Sequence, residues 1–321
     1  MFRSLRPFLT IAKTTWLEAI QQPVAFLTAL ASVVLTLMVP IFQFHHFGEE
    51  GRLARDSGLS CLLLGGLVLA VGAAGRSVAR EIEGGTAAAA IGKPVSRSVF
   101  RVAKWVGIFG VTLFFGVAQT AATLIAERSS SHAVIVGDVP AQMLDVLSLL
   151  LALGLVALSL LLAAFFNWAL RKRFGVMAFA GLVLSQLLAV AVTEWKNPFV
   201  PLNLRVLPAA VLILAVLAVF ASLAAALAAR FRTGTILAVC TGILLLGLAG
   251  DTLFGTAGAF SLRGIGSGVL PDLQNFWLSD AVARGGRISS GYLLEALLHA
   301  AVLCVLFLTA GCLLFRNRDL G

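Results

Sequence analysis

Few of the ionisable residues are grouped in a way that would support catalysis or metal binding. His45 and His46 are followed by carboxylates, but two consecutive histidines are poorly placed to chelate one ion, so we interpret this segment as a solvated or interfacial loop. Glu295 and His299 are four residues apart and therefore share one face of a helix. Two interpretations of this pair stay open, an interfacial ion pair or a contact to a proton or a substrate.

Residue spacing also argues against two other kinds of site, a phosphate-binding loop and a CxxC cysteine pair. A phosphate-binding loop around Gly92-Lys93 would need glycine and Ser or Thr where the chain has Ala87 and Pro94. The cysteines lie in apolar segments without CxxC spacing, which favours buried free thiols; they are Cys61, Cys240, Cys304 and Cys312. The sequence therefore predicts no catalytic residue, no bound cofactor and no metal site, and we do not expect an enzyme.

The elements that carry these residues are strongly apolar. Of the 321 residues 60% are hydrophobic and 12% are charged, with a mean hydropathy of +0.99. Soluble domains carry about twice that charge fraction, and the apolar runs reach about 20 residues, enough to cross about 30 Å of hydrocarbon. We predict an all-α polytopic membrane protein with about six to eight transmembrane helices. The net charge of +9 lies in short loops, which favours a topology signal over nucleic-acid binding.

The whole chain, 1–321, is predicted to form a single transmembrane domain. Eight apolar runs are candidate spans: 24–44, 59–79, 105–126, 143–169, 174–193, 206–229, 235–254 and 292–315. Residues 255–291 form a predicted external segment, in which 270–280 has the composition of a short interfacial or re-entrant helix. The run 174–193 has a second interpretation, as part of a re-entrant pair with its neighbour.

The basic residues determine the predicted orientation. With both termini in the cytoplasm, 16 of the 24 Lys and Arg residues fall in segments on that side, as the positive-inside rule requires. No ionisable residue lies near the centre of a predicted span, so neither ion-coupled transport nor intramembrane hydrolysis is indicated. The energy for transport is then expected to come from elsewhere, unless the chain is a passive pore.

Residues 2–22 are predicted to form an interfacial helix that lies on the membrane. Trp16 shares one side of this helix with other apolar residues, whereas Lys13 and its basic neighbours suit an anionic leaflet. The residues assigned to this helix are Lys13, Trp16 and Glu18. The alternative is a solvated N-terminal tail.

The segment 80–97 is the longest polar break in the first half of the chain. A Gly-Gly pair permits a turn, Thr86 is a good N-cap, and four alanines follow it. The sequence Gly-Lys-Pro at 92–94 then supplies stop signals. This pattern predicts a short helix between two breaks, held at the membrane surface by spans on both sides. The alternative is a solvated charged connector.

This segment resembles the cytoplasmic loop of ABC transporter permeases of the type-2 exporter family. The matching features are an acidic-basic cluster, Gly-Thr, a run of small residues, Lys-Pro, Ser-Arg and a following Lys104. Residues 11–23 resemble the elbow helix of that family, and 270–320 resemble its last external segment, last span and Arg-Asp tail. The middle of the chain matches only in hydropathy, and six spans are usual in that family.

The resemblance implies the membrane-spanning subunit of an ATP-driven exporter in the bacterial cytoplasmic (inner) membrane. It also implies a cytoplasmic coupling helix that docks on a separate ATPase subunit, which would hold ATP and Mg, and a second permease chain, identical or related. The implied coupling residues are Arg80, Glu81, Glu83, Gly85, Thr86, Lys93, Pro94 and Arg97. A non-transporting scaffold or assembly subunit and a passive channel remain alternatives. Lipids, glycans, peptides and drugs all remain open as substrates.

Overall fold

The structure, a computed structural model, describes residues 2–42, 51–83, 97–130, 132–136, 139–196, 202–228, 230–248, 276–278, 286 and 288–316. These ranges contain nine helices and one β-hairpin. In chain order they are α1 (Phe2–Ile20), α2 (Pro23–Phe42), α3 (Arg52–Glu83), α4 (Arg97–Ser130), β1 (His132–Val136), β2 (Val139–Met143), α5 (Val146–Leu170), α6 (Phe174–Lys196), α7 (Val206–Leu227), α8 (Thr233–Leu248) and α9 (Ser290–Arg316).

Seven of the described helices, α2 to α7 and α9, are long and apolar enough to cross a membrane. The chain is therefore a multi-pass membrane protein. The predicted span 235–254 corresponds to α8, whose described 16 residues extend over about 24 Å and do not reach the ~30 Å of a hydrocarbon core. Residues 174–196 form one continuous helix that is long enough to cross by itself, rather than half of a re-entrant pair.

The core of the bundle is formed by α3, α4 and α7. In each of these helices 72% of the most apolar window is buried, against 22–44% in the other long helices. α1, α2, α5 and α6 group around α4, whereas α8 packs on α3 and α7, and α9 packs mainly on α7. Small residues permit the close approach: the side chain of Leu217 fills the space that a Cβ on Gly66 would need.

One short hairpin interrupts the helical chain between α4 and α5. β1 pairs with β2 in antiparallel register from His132–Met143 to Val136–Val139. Asp145 then caps α5, because its Oδ1 accepts a hydrogen bond from the Ser148 amide at 3.1 Å. The hairpin occupies the connection that the sequence predicted as an external loop.

Candidate functional site at the stalk end

The paired helices α3 and α4 serve as a reference for the heights of the other helices along the bundle axis. The two helices run antiparallel, since Gly58 lies against Thr123 near one end and the Ser77 carbonyl accepts a hydrogen bond from Lys104 near the other. The remaining helices can be placed against this pair by their contacts.

α6 and α8 begin at about the same level along α4. The Arg128–Glu194 ion pair, 2.8 Å long, fixes α6 beside α4. Both helices run in the same direction, so Phe174, twenty residues before Glu194, is level with about residue 108 of α4. α8 begins nearby, because Thr233 lies against Gly75 of α3.

Two exposed tryptophans lie near the levels of residues 108 and 128 of α4. Trp168, near the end of α5, is 80% exposed, and Trp195, near the opposite end of α6, is 86% exposed. Tryptophan is enriched at both membrane–water interfaces. Residues 108 and 128 of α4 are twenty residues apart, or about 30 Å, which matches the thickness of the hydrocarbon core.

α3 and α4 continue past the level of residue 108 and form what we call the stalk, residues 76–83 and 97–105. These eight and nine helical residues extend over about 12–14 Å. We name this side of the bundle the stalk end, and the side that carries Arg128 and Glu194 the ion-pair end. α3 continues through Arg80 to Glu83, so the first residues of the segment 80–97 extend the preceding helix.

The predicted coupling residues belong to the stalk and to the segment that joins its helices. Arg80, Glu81, Glu83 and Arg97 lie in the ends of α3 and α4, where only the backbone is described. Gly85, Thr86, Lys93 and Pro94 lie outside the described residues, as does the predicted short helix. The structure therefore brings the two ends of the predicted coupling segment to one side of the molecule.

Lys104 connects α3 and α4 at the base of the stalk. Its side chain is 7% exposed, its Nζ donates a hydrogen bond to the Ser77 carbonyl at 3.0 Å, and the ammonium lies 5.1 Å from the centre of the Phe100 ring. Sequence reasoning treated Lys104 only as the last residue of the loop motif. The structure makes it a direct contact between α3 and α4 at the base of the stalk.

α1 crosses α4 at the same depth. At Gly107 a Cβ would lie 2.6 Å from the Ala12 carbonyl oxygen and 2.7 Å from the Thr15 Cβ, so only glycine permits this approach. Trp16 makes an edge-to-face contact with Phe114, with ring centres 5.6 Å apart. The predicted elbow residue Trp16 thus packs against α4.

The other end of α1 reaches the start of α6. A Cβ on Gly175 would lie 3.3 Å from the Ile20 carbonyl oxygen, and Gly175 is level with about residue 109 of α4. α1 therefore contacts its neighbours at one depth along its second half. Lys13 and Glu18, the other predicted elbow residues, are exposed.

The ion-pair end contains a buried cluster that sequence reasoning missed. Arg55 and Glu127, 5% and 6% exposed, form an ion pair of 2.9 Å, and the Asn203 amide donates to the same carboxylate oxygen at 2.8 Å. The cluster joins α3, α4 and the connection before α7. The available signal was weak, since each residue stands at the end of an apolar run where a solvated charge is the usual interpretation.

Three polar residues in or near the ends of the spans, Gln119, Asn167 and Gln186, form different kinds of hydrogen bond. The Gln119 amide donates to Thr36 Oγ1 at 2.7 Å and to the Gly58 carbonyl at 3.1 Å, so it links α4 to both α2 and α3. Asn167 instead donates to the Lys172 carbonyl at 2.7 Å, a local bond at the end of α5. Gln186 is fully buried in α6 and reaches only the adjacent Ser185, at 3.5 Å.

The remaining candidate residues form no ion pair or metal site with one another in the part of the chain that the structure describes. Within the described residues, Glu295 and His299 form no ion pair with each other, and no group of three or more His, Cys, Asp or Glu side chains has the arrangement of a metal site. All four cysteines are free; Cys240 and Cys304 are buried as predicted, whereas Cys61 and Cys312 are partly exposed. His45 and His46 lie outside the described residues.

Compared with models of protein families, with curated proteins and with solved structures, the chain matches none.

Proposed function

We propose that the chain is the membrane-spanning permease subunit of an ATP-driven exporter. The observation that carries the proposal is the stalk, in which two core helices extend about 12–14 Å past the level at which α6 and α8 begin and are joined by residues 84–96. The last turns of α9 lie beside it, since Gly311 is against Arg101. A protruding helix pair that is continuous with the core of a bundle is suited to receive force from a soluble partner. The partner that the resemblance implies is a separate ATPase.

Coupling would proceed through contacts already described. Closure of the ATPase on nucleotide displaces the segment 84–96, and the Lys104–Ser77 hydrogen bond makes the two stalk helices move together. α3 and α4 pack on α7 in the core, so a tilt of the stalk changes the packing of the core spans. α1 crosses α4 at Gly107, where it would act as the elbow helix of the resembled family.

The charges at the stalk end support a cytoplasmic location for it. The connection between α5 and α6 consists of three exposed basic residues, Arg171, Lys172 and Arg173, and the connection between α7 and α8 exposes Arg230 and Arg232. Both connections lie at the level where the shorter helices end. Short loops rich in Lys and Arg remain on the cytoplasmic side, which would place the stalk in the cytoplasm and the ion-pair end outside.

Co-purification tests the proposal. The wild-type chain and the variant Glu81→Arg plus Glu83→Arg are each expressed with the ATPase encoded nearest to it and purified in mild detergent. The matched control is Glu49→Arg plus Glu50→Arg, an identical charge change in the connection between α2 and α3 at the ion-pair end. We expect the ATPase to be retained by wild type and control and lost from the stalk variant.

Two results would contradict the proposal, the first for the function and the second for the docking site. If the folded wild-type chain retains no ATPase, the exporter proposal fails and the scaffold and channel alternatives are taken up. If the control loses the ATPase as completely as the stalk variant, docking does not occur at the segment 80–97.

A further inference from the structure

The connection between α5 and α6 carries three cations at the membrane boundary of the stalk end. Arg171, Lys172 and Arg173 are consecutive and exposed, and we call them the basic corner. Phe174, the next residue, is level with about residue 108 of α4, where the hydrocarbon core ends on this side. The stalk extends about 12–14 Å further, whereas the basic corner stays at the height of the lipid headgroups.

Hydrogen bonds fix the backbone of the basic corner. The Phe166 carbonyl accepts from the amide of Arg171 and from that of Lys172, the latter at 3.3 Å. The side-chain amide of Asn167 donates to the Lys172 carbonyl at 2.7 Å. The corner is therefore an ordered turn that holds its three charges in one place, rather than a freely moving loop.

Arg171 occupies a position that would suit glycine. Its φ is +52°, and in the described part of the chain it is the only residue other than glycine with a positive φ. A helix C-cap in this left-handed conformation is commonly glycine, because a Cβ is disfavoured there. Within the described residues, no ion pair of the Arg171 side chain offsets this strain. The side chain is therefore expected to contact something outside the protein.

The helices around the basic corner supply no ion-pair partner for it. α2 and α5 contain no Asp or Glu, and the one acid of α6, Glu194, is paired with Arg128 at the opposite end. Within the described residues Glu18 of α1 forms no ion pair with the corner either. The start of α6 adds no compensation, since the N-terminal end of a helix dipole is positive. The counter-charge must then come from outside the chain.

The surface beside the basic corner suits an acyl chain. Exposed apolar side chains cover the last turns of α5, with Leu161 at 68%, Phe165 at 54% and Trp168 at 80%. Leu161 is ten residues before Arg171, or about 15 Å along the helix, which is half the thickness of the hydrocarbon core. A phospholipid presents the matching groups in the same order, an acyl chain within one leaflet and a phosphate at the boundary.

We propose that the basic corner binds the phosphate of an anionic phospholipid in the leaflet at the stalk end, with an acyl chain along α5. Cations beside a membrane attract anionic lipids, and arginine binds phosphate through paired N–H donors. Asn167 is a positioning residue, because it holds the backbone that carries the cations. The inference goes beyond the proposed function and does not rest on it, since it requires neither an ATPase nor transport.

Lipid titration of the purified chain, followed by native mass spectrometry, tests the site. Phosphatidylglycerol should bind more tightly than phosphatidylcholine with the same acyl chains. Lys172→Gln plus Arg173→Gln should weaken phosphatidylglycerol binding about 25-fold, because each cation contributes about fivefold. The matched control, Arg230→Gln plus Arg232→Gln, removes two exposed charges from the other basic connection at the stalk end and should leave the tightest site unchanged.

Arg171→Gly distinguishes a lipid contact from a structural role. Glycine suits the φ of +52°, so the variant should unfold at the same temperature as wild type or higher. Its affinity for phosphatidylglycerol should nevertheless fall about fivefold. A lower unfolding temperature with unchanged affinity would show that Arg171 serves only the fold and would contradict the proposal.

Three further results would overturn the proposal. Equal binding of the two lipids by wild type, or an equal loss in the control variant, would show that the corner does not select an anionic lipid. Displacement of phosphatidylglycerol by an equal concentration of inorganic phosphate would identify a site for a free anion. Loss of an ATPase from the corner variants, with lipid binding intact, would assign the corner to a protein partner.

Discussion

At the scale of single residues, the Arg55–Glu127 pair shows how a membrane bundle accommodates charge. Both side chains are almost fully buried, and the carboxylate also accepts a hydrogen bond from Asn203. Removing Arg55 would leave the Glu127 carboxylate buried without the cation that it pairs with, which costs far more than the pair contributes as a whole. Near it, Arg52 and Asp56 form a more exposed pair of 3.6 Å.

We expect Arg55→Ala to lower the free energy of unfolding by about 3–5 kcal/mol. Arg52→Ala, which removes a neighbouring but exposed charge, should cost about 0–1 kcal/mol. Arg55→Met combined with Glu127→Met should regain part of the loss, because no unpaired charge remains. Thermal unfolding in detergent measures all three, and equal effects of Arg55→Ala and Arg52→Ala would contradict a buried, coupled pair.

At the scale of elements, the contact between α1 and α4 depends on one missing side chain. A Cβ at Gly107 would overlap the backbone of Ala12, whereas a Cβ at Gly154 of α5 has no atom within 4 Å. Overpacking of this kind costs about 1–3 kcal/mol. Gly107→Val should therefore displace α1, and Gly154→Val should not.

Fluorescence of an environment-sensitive probe on Lys13→Cys, in a chain without native cysteines, measures this displacement. We expect the probe to change its emission in the Gly107→Val variant and to keep it in the Gly154→Val variant. An unchanged spectrum in both would mean that α1 is not held by this crossing.

The sequence predicted some elements well and others poorly, for physical reasons. Long apolar runs identify spans because hydrocarbon imposes length and composition, and all seven long helices lie where such runs occur. His299 is the tenth of the 23 residues of the apolar span Ser290–Cys312, so the expectation that no ionisable residue lies near the centre of a span is wrong for this residue. Hydropathy alone does not determine where along an apolar run a span begins and ends. Lys104 and the Arg55–Glu127 pair were missed as contacts because each joins residues distant in sequence. The β-hairpin had a local signal, Gly137-Asp138 between two β-prone runs.

At the scale of the whole molecule, the proposed function requires a definite orientation. The exposed residues Lys172 and Lys196 stand at opposite ends of α6 and its preceding connection. In a chain without native cysteines, Lys172→Cys should react with a membrane-impermeant maleimide only from the cytoplasmic side. Lys196→Cys should react only from outside. The reverse pattern, measured in right-side-out and inverted vesicles, would put the stalk on the wrong side for an ATPase.

Docking of an ATPase on the segment 80–97 is tested most directly by site-specific photo-crosslinking of the assembled complex in membranes. A photoreactive amino acid replaces Ala88, between the predicted turn at Gly85 and the stop at Lys93, and in a second variant it replaces Trp195 at the ion-pair end. We expect a covalent adduct with the ATPase from position 88 and none from position 195. No ATPase adduct from position 88 of a folded, membrane-inserted chain, or equal adducts from both positions, would contradict it.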